Sequence, residues 1–307
     1  MNFLHRVNGQ IKYTLHDVKK NWDCYLYIFP FFLIFCIFTV APVLMSIGLS
    51  FTSYNIFEPP RWVGFQNYIT FFTGDELAIT ALKNTFVIAV VTGPVGYLLS
   101  LLLAWSINEL KGFWRALMVT VFYAPSISGG AFMIFKVLFS GDAYGYLNGV
   151  LLSLGIVNEP IKWLTDTNYM MIVGIIVMIW MSLGSGFLSF VAGFRSMDHS
   201  YYEAGWVEGI SNRWQELWFI TLPMMKPQLL FGAVMSITGA FSCGAVQDVL
   251  FGSPSTEYAT HTLVNHMTDY GNTRMEMGYA CTIATILFVM MLLCNKLIQK
   301  ALNRVGT

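Results

Sequence analysis

Six apolar runs punctuate the chain, at about 25–51, 85–107, 116–139, 169–192, 229–251 and 277–297. Each is close to or above the roughly 20 residues that an α-helix needs to cross a hydrocarbon core. The polar residues gather between the runs, so the pattern predicts an all-α integral membrane protein with six spans. The first run, YLYIFPFFLIFCIFTVAPVLMSIGLSF, is longer than a crossing needs and carries Pro30 and Pro42. A tilted or kinked helix is expected there, since proline removes a backbone donor and crowds the preceding turn. Thr92-Gly93-Pro94 predicts a local break in the second run, and APSISGGAF over 124–132 a weak centre in the third. SLGSG over 182–186 places a small-residue face on the fourth.

Composition supports the membrane reading. Of 307 residues 56% are apolar and only 11% charged, against roughly 25% charged in soluble domains. Lys plus Arg and Asp plus Glu both number 17, which provides neither the basic excess of a nucleic-acid binder nor an acidic solvating tail. The five cysteines form no CxxC pair and read as small buried hydrophobes. His261 and His266 are five apart, a spacing that suits surface or structural histidines better than metal ligands.

Charge also orients the chain. With both termini on the inner side, Arg6, Lys12, Lys19, Lys20, Lys111, Arg115, Arg195, Arg213, Lys226, Lys296, Lys300 and Arg304 are cytoplasmic, twelve of the seventeen cations. The positive-inside bias therefore predicts an N-in, C-in, multi-pass protein of the cell membrane. Its parts are a cytoplasmic arm over 1–24, a membrane domain over 25–297 and a cytoplasmic tail over 298–307. Outer loops are expected at 52–84, 140–168 and 252–276, the second carrying a short helix within GYLNGVLLSLGI. Lys136 reads as a snorkelling lysine at the far end of the third span.

Between the fourth and fifth runs lies EAGWVEGISNRWQELWFITLPMMKP, residues 203–227, within an inner segment spanning 198–227. Ser200 and Glu203 form a capping-box pattern that predicts a helix from Tyr201. Gly209 interrupts it, and Ser211 is placed to cap a second short helix through about Phe219, before Pro223 and Pro227 lead into the next span. Two short helices joined at a glycine make an elbow. An amphipathic pair lying on lipid, with Trp206, Trp214 and Trp218 as belt residues, is one reading of it. The carboxylates Glu203, Glu208 and Glu216 outnumber Arg213 and Lys226, which disfavours an anionic leaflet and favours a basic protein groove.

These residues also resemble the EAA motif in permease subunits of binding-protein-dependent ABC importers. The match runs through Glu203-Ala204-Gly205, Gly209, and Ile220-Thr221-Leu222-Pro223, with Gly205 where alanine is usual and one residue more than usual between Gly209 and Pro223. The wording of RWQ at 213–215 and ITLP at 220–223, with GFQNY at 64–68, is similar to the carbohydrate-uptake subgroup of maltose, glycerol-phosphate and multiple-sugar permeases. The resemblance implies a type I ABC importer permease fold, with six core helices and a cytoplasmic coupling helix. It also implies a second homologous permease, two ATP-binding subunits holding ATP and Mg, and an extracytoplasmic solute-binding protein. By position, Glu203 meets a cation of an ATPase, Ala204 and Gly205 permit close approach, Gly209 makes the turn, and Pro223 closes the motif.

The chain has no G-x-x-x-x-G-K-[ST] loop and no G-x-G-x-x-G fingerprint, so it is expected to bind no nucleotide and to be no enzyme. An ion-coupled secondary transporter would bring buried charges into its spans, and only Lys136 and Asp248 stand near that description. A non-transporting membrane scaffold is the other alternative. His199, Glu203 and Glu208 are close in sequence, but with the helix starting at Tyr201 they do not assemble a catalytic site. Polar residues in or beside spans mark the candidate pathway: Tyr123, Ser126, Ser185, Ser242 and Gln247 first, then Asn84, Tyr97 and Ser128.

Overall fold

The computed structural model describes residues 20–302. Arg6, Lys12, Lys19 and Arg304, which the charge count placed in the arm and tail, lie outside the described residues. The first apolar run forms α1 (Trp22–Leu49). It stays one helix despite its prolines, because five residues ahead of Pro42, Cys36–Val40, wind as a π-turn, and Ala41 N–H bonds to the Cys36 carbonyl. The π-turn takes up the irregularity for which a kink was expected. None of the eighteen most apolar residues of α1 is buried within this chain. Two-residue strands β1 (Thr52–Ser53) and β2 (Arg61–Trp62) then pair antiparallel, the only β structure among the described residues.

Helix α2 (Glu76–Asn108) starts earlier than the hydropathy predicts, absorbing part of the expected outer loop. Its start is set by Asp75, whose side chain caps the Ala78 N–H at 3.0 Å. It also runs unbroken through Pro94, contrary to the expected break. The Ser236 hydroxyl donates to the Gly93 carbonyl at 2.8 Å, tying this stretch to a neighbouring helix.

The third run does divide at its weak centre, into α3 (Gly112–Ile127) and α4 (Met133–Leu138), with Gly129 at φ +58° between them. The expected loop helix is α5 (Tyr146–Ser153). Its fully buried Asn148 donates to the carbonyls of Ser140, Asp142 and Ile161 and accepts from the Trp163 indole at 2.9 Å. The fourth run forms α6 (Thr167–Met181) and α7 (Ser185–Ser196), which together are long enough for a span.

Next come α8 (His199–Val207) and α9 (Arg213–Met224), then α10 (Lys226–Phe241), α11 (Gly244–Phe251) and α12 (Leu263–Thr268). The chain closes with α13 (Met277–Leu302). Among the described residues four helices (α1, α2, the α6–α7 pair and α13) are each long and apolar enough to cross a membrane. The axis turns by 83° between α9 and α10. Helix α2 is the hub: Leu101, Ala104 and Ile107 join Phe187, Phe190 and Phe194 of α7, Leu229 of α10, and Leu217, Leu222 and Met225 in and beside α9 in one buried cluster.

At the opposite end of α2 from this cluster, Asp75 also latches the segment before α13. Its Oδ2 accepts from His266 Nε2 at 2.9 Å, Tyr279 at 2.9 Å and Tyr270 at 3.2 Å. His266 Nδ1 in turn lies 3.2 Å from His261 Nε2. Both histidines are buried, in keeping with the structural role predicted for them. Burial raises the Asp75 pKa, but its hydrogen bonds to Ala78, His266 and Tyr279 outweigh that and hold it below the ordinary carboxylate value. Burial and the neighbouring His266 push His261 down to about 4.

The unfolded chain therefore takes a proton on His261 before the folded one does. The stability this confers is fully present above about pH 6.5 and falls as pH drops toward 4, by at most about 2–3 kcal/mol. Thermal unfolding followed from pH 7 to pH 5 is expected to show this decline. In His261→Gln, which retains a donor but does not titrate, the slope should be shallower; an unchanged slope would contradict the assignment.

Candidate functional site

The elbow is built from local capping signals. Asp198, rather than Ser200, caps α8 by accepting the Ser200 N–H at 3.1 Å, so the helix begins at His199 instead of Tyr201. It ends in a Schellman arrangement, with Ile210 N–H bonded to the Gly205 carbonyl at 3.0 Å and Gly209 N–H to the Trp206 carbonyl at 3.2 Å. Gly209 has φ +101°, a conformation that a β-branched residue does not tolerate. Asn212, rather than Ser211, caps α9 by accepting the Gln215 N–H at 2.9 Å. The Gln215 side chain reciprocates by accepting the Ser211 N–H at 3.0 Å.

Residues Glu216–Thr221 within α9 wind as a π-helix, with Leu222 N–H bonded to the Leu217 carbonyl. A π-segment accommodates one residue more than the α-helix it replaces. The π-segment carries the second helix beyond Phe219, where it was expected to stop.

Polar contacts clamp the two arms together. Glu216 is only 5% exposed. It accepts from the Trp206 indole at 2.7 Å and pairs with Arg213 at 3.1 Å. Arg213 also reaches Glu109, just past the end of α2, at 3.1 Å. Tyr202 and Thr221 share a hydrogen bond at 3.1 Å, and burial pushes the Tyr202 hydroxyl pKa up, which keeps it neutral. Gly205 is buried where the arms cross, and a Cβ there would come 2.6 Å from Ile220 Cδ1. Its smallness therefore serves the elbow's own packing. Glu203, Ala204, Val207 and Glu208 stand on the exposed face, with Val207 89% exposed.

A second feature lies along the spans: a cavity of about 510 Å³ among α2, α3, α6, α7, α10 and α11. Tyr97, Tyr123, Ser126, Ser185 and Ser242 are on its wall. Sequence reasoning missed Ser100, Ser182 and Ser236, which also line it. No Asp, Glu, Lys, Arg or His side chain is among its lining residues. The interruptions at Ser182–Gly184 and Ser242–Cys243 sit at this wall, where irregular backbone at membrane depth is tolerated because it borders a cavity. Tyr97 is packed edge-on against Phe190, centroids 5.4 Å apart.

Three other residues marked for the pathway are placed elsewhere. Gln247 is buried behind the wall, its Nε2 3.8 Å from Met178 Sδ. Asn84 holds the loop carbonyls of Tyr258, Ala259 and His261. The Ser128 hydroxyl returns to the Pro125 carbonyl at 3.2 Å. Sequence reasoning also grouped Glu216 with the exposed carboxylates. Its Trp-x9-Glu spacing to Trp206 carries no motif, and only the fold brings the two together.

Residues 96–304 match the family described as "Binding-protein-dependent transport system inner membrane component". The chain is 32% identical over 289 residues to the probable ABC transporter permease protein YesP of Bacillus subtilis (strain 168), covering 92% of this chain and 91% of that one. It is 28% identical over 281 residues to the lactose transport system permease protein LacF of Rhizobium radiobacter, covering 89% and 92%. Among solved structures, a chain of a bacterial ABC transporter involved in the import of the acidic polysaccharide alginate superposes with a TM-score of 0.76 at 25% identity, covering 96% of this chain and 99% of that chain. The chain belongs to the family of inner-membrane components of binding-protein-dependent transport systems, and its fold is that of a type I ABC importer permease.

The clamp can be probed without any partner. Glu216→Ala removes the acceptor of the Trp206 indole and leaves Arg213 with one carboxylate, at an expected cost of about 1–3 kcal/mol. Thermal unfolding of the purified protein should show that loss, and an unchanged midpoint would contradict the clamp.

Proposed function

We propose that this member of the family forms half of the translocation pathway for a sugar or oligosaccharide in an ATP-driven importer. Its partners are a second homologous permease, two ATP-binding subunits that hold ATP and Mg, and an extracytoplasmic solute-binding protein that delivers the solute. This chain binds no cofactor of its own. It crosses the membrane six times, the third and fifth crossings being the broken α3–α4 and α10–α11 segments, with both termini and the elbow on the cytoplasmic side. The hydroxyl-rich, charge-free cavity wall with two tyrosines suits sugar rings and their hydroxyls. Similarity to a lactose permease and an alginate importer points the same way.

One observation carries the reading. The elbow's Leu217, Leu222 and Met225 share a core with α2 and α7, and those two helices supply Ser100, Tyr97, Ser185 and Phe190 to the cavity. A push on the exposed face of the elbow therefore reaches the cavity wall through packed side chains. Glu203, Ala204 and Glu208 form the docking face, Gly205 and Gly209 give the elbow its shape, and Pro223 with Pro227 turns the chain into α10. The pathway residues are Tyr123, Ser126, Ser185 and Ser242 on the wall, with Gln247 supporting it from behind.

Glu203→Lys is expected to reverse the charge presented to the ATPase. Gly209→Val is expected to strain the turn by about 1–3 kcal/mol. Both should reduce ATPase co-purification and uptake at matched expression. Tyr123→Ala and Ser185→Ala should keep the ATPases bound while lowering uptake into vesicles. Normal ATPase retention and uptake in the first two would refute docking. Parental uptake in the second two would remove the pathway from this wall.

A further inference from the structure

Behind the elbow lies a second cavity of about 450 Å³, closed by the end of α2, the start of α3, the end of α7 and both elbow arms. Its wall carries four fixed cations, Lys111, Arg115, Arg195 and Arg213, and two carboxylates, Glu109 and Glu216. Both carboxylates are already taken by Arg213, at 3.1 Å each. Arg115 is held by carbonyl oxygens, Nε on Leu110 at 2.7 Å and Nη2 on Asn108 at 2.8 Å, so its charge has a position but no counter-ion. Lys111 and Arg195 form no ion pair with a carboxylate among the described residues. Trp105, Tyr202 and Trp206 supply an aromatic lining beside them.

The elbow and the span ends behind it thus differ in charge. Glu203 and Glu208 stand on the elbow's exposed face, whereas the span ends behind the elbow carry Lys111, Arg115 and Arg195. Three uncompensated cations around one cavity repel one another, and an anion seated among them relieves that repulsion. Guanidinium groups match phosphate oxygens in a forked geometry, and the two carboxylates of this wall are engaged by Arg213. We propose that this cavity binds a phosphate group, as the headgroup of an anionic phospholipid or as a soluble phosphate ester, held by Lys111, Arg115 and Arg195. Its occupant bridges the α2–α3 turn and the end of α7 beneath the elbow, and so sets the elbow's position. The site is independent of which solute is carried.

The test uses the assembled complex with its ATPase sites filled by a non-hydrolysable ATP analogue. Native mass spectrometry counts phosphatidylglycerol retained from a phosphatidylcholine–phosphatidylglycerol nanodisc, and calorimetry measures binding of inorganic phosphate. Lys111→Gln/Arg195→Gln is compared with the parent. One fewer retained phosphatidylglycerol in the double variant assigns the site to lipid. Phosphate binding weakened about tenfold or more in the variant assigns it to a soluble ester. Equal lipid retention together with equal or absent phosphate binding overturns the proposal. If the double variant does not assemble, Arg195→Lys takes its place: it keeps the charge but loses the fork, and behaviour equal to the parent in both measurements likewise overturns the site.

Discussion

A carboxylate withdrawn from water must be neutralised, and Glu216 is the point at which this chain meets that demand. Its two oxygens are taken by Trp206 from the first elbow arm and Arg213 from the second. Arg213 is shared with Glu109, just past α2. Breaking one partner of such a set leaves a buried charge uncompensated, which costs more than the set contributes as a whole. The consequence is geometric: two short helices, neither long enough to be stable alone, hold one angle to each other and to the hub helix. The π-segment that begins at Glu216 belongs to the same solution, since its extra residue is accommodated while Leu217 and Leu222 still reach the core.

From that fixed corner the packing leads directly to the cavity. Phe190 belongs to the cluster that holds the elbow and also lines the cavity wall, where Tyr97 packs against it. Close approach between helices makes this contact stiff. A Cβ on Gly232 would fall 2.3 Å from the Phe190 ring, and one on Gly186 would lie 3.4 Å from Gly232 Cα. The wall itself is more yielding, because α6 gives way to α7 and α10 to α11 at short interruptions. Stiff contacts on one side of broken helices are the arrangement expected of a part that moves as a body around a solute path.

Much of this was legible in the sequence, and the omissions have physical causes. Hydropathy located the four helices that are long and apolar enough to cross a membrane, because burial in lipid acts on every residue of a span. It misplaced the start of α2, since a helix can continue past the hydrocarbon when a capping residue such as Asp75 and tertiary contacts sustain it. The prolines were over-read: Pro30 and Pro94 sit inside continuous helices, and Pro42 follows a π-turn. Gly209 was readable because only its backbone matters. Gly205 was not, because its role depends on Ile210 and Ile220 closing over it. The cavity-lining Ser126, Ser185 and Ser242 were legible as polar residues in apolar surroundings, whereas Gln247 met the same criterion and lies behind the wall.

Elbow and hub helix α2, joined through one buried cluster, form one rigid part within this chain. Pulsed spin-label distance measurements on the assembled complex test this rigidity most directly, with one label at Val207 on the elbow and another at Leu98 on α2, both exposed positions. This distance distribution should superimpose with and without ATP, while the distance from Val207 to its counterpart on the second permease shifts. A shift in the Val207–Leu98 distance on ATP binding would contradict it.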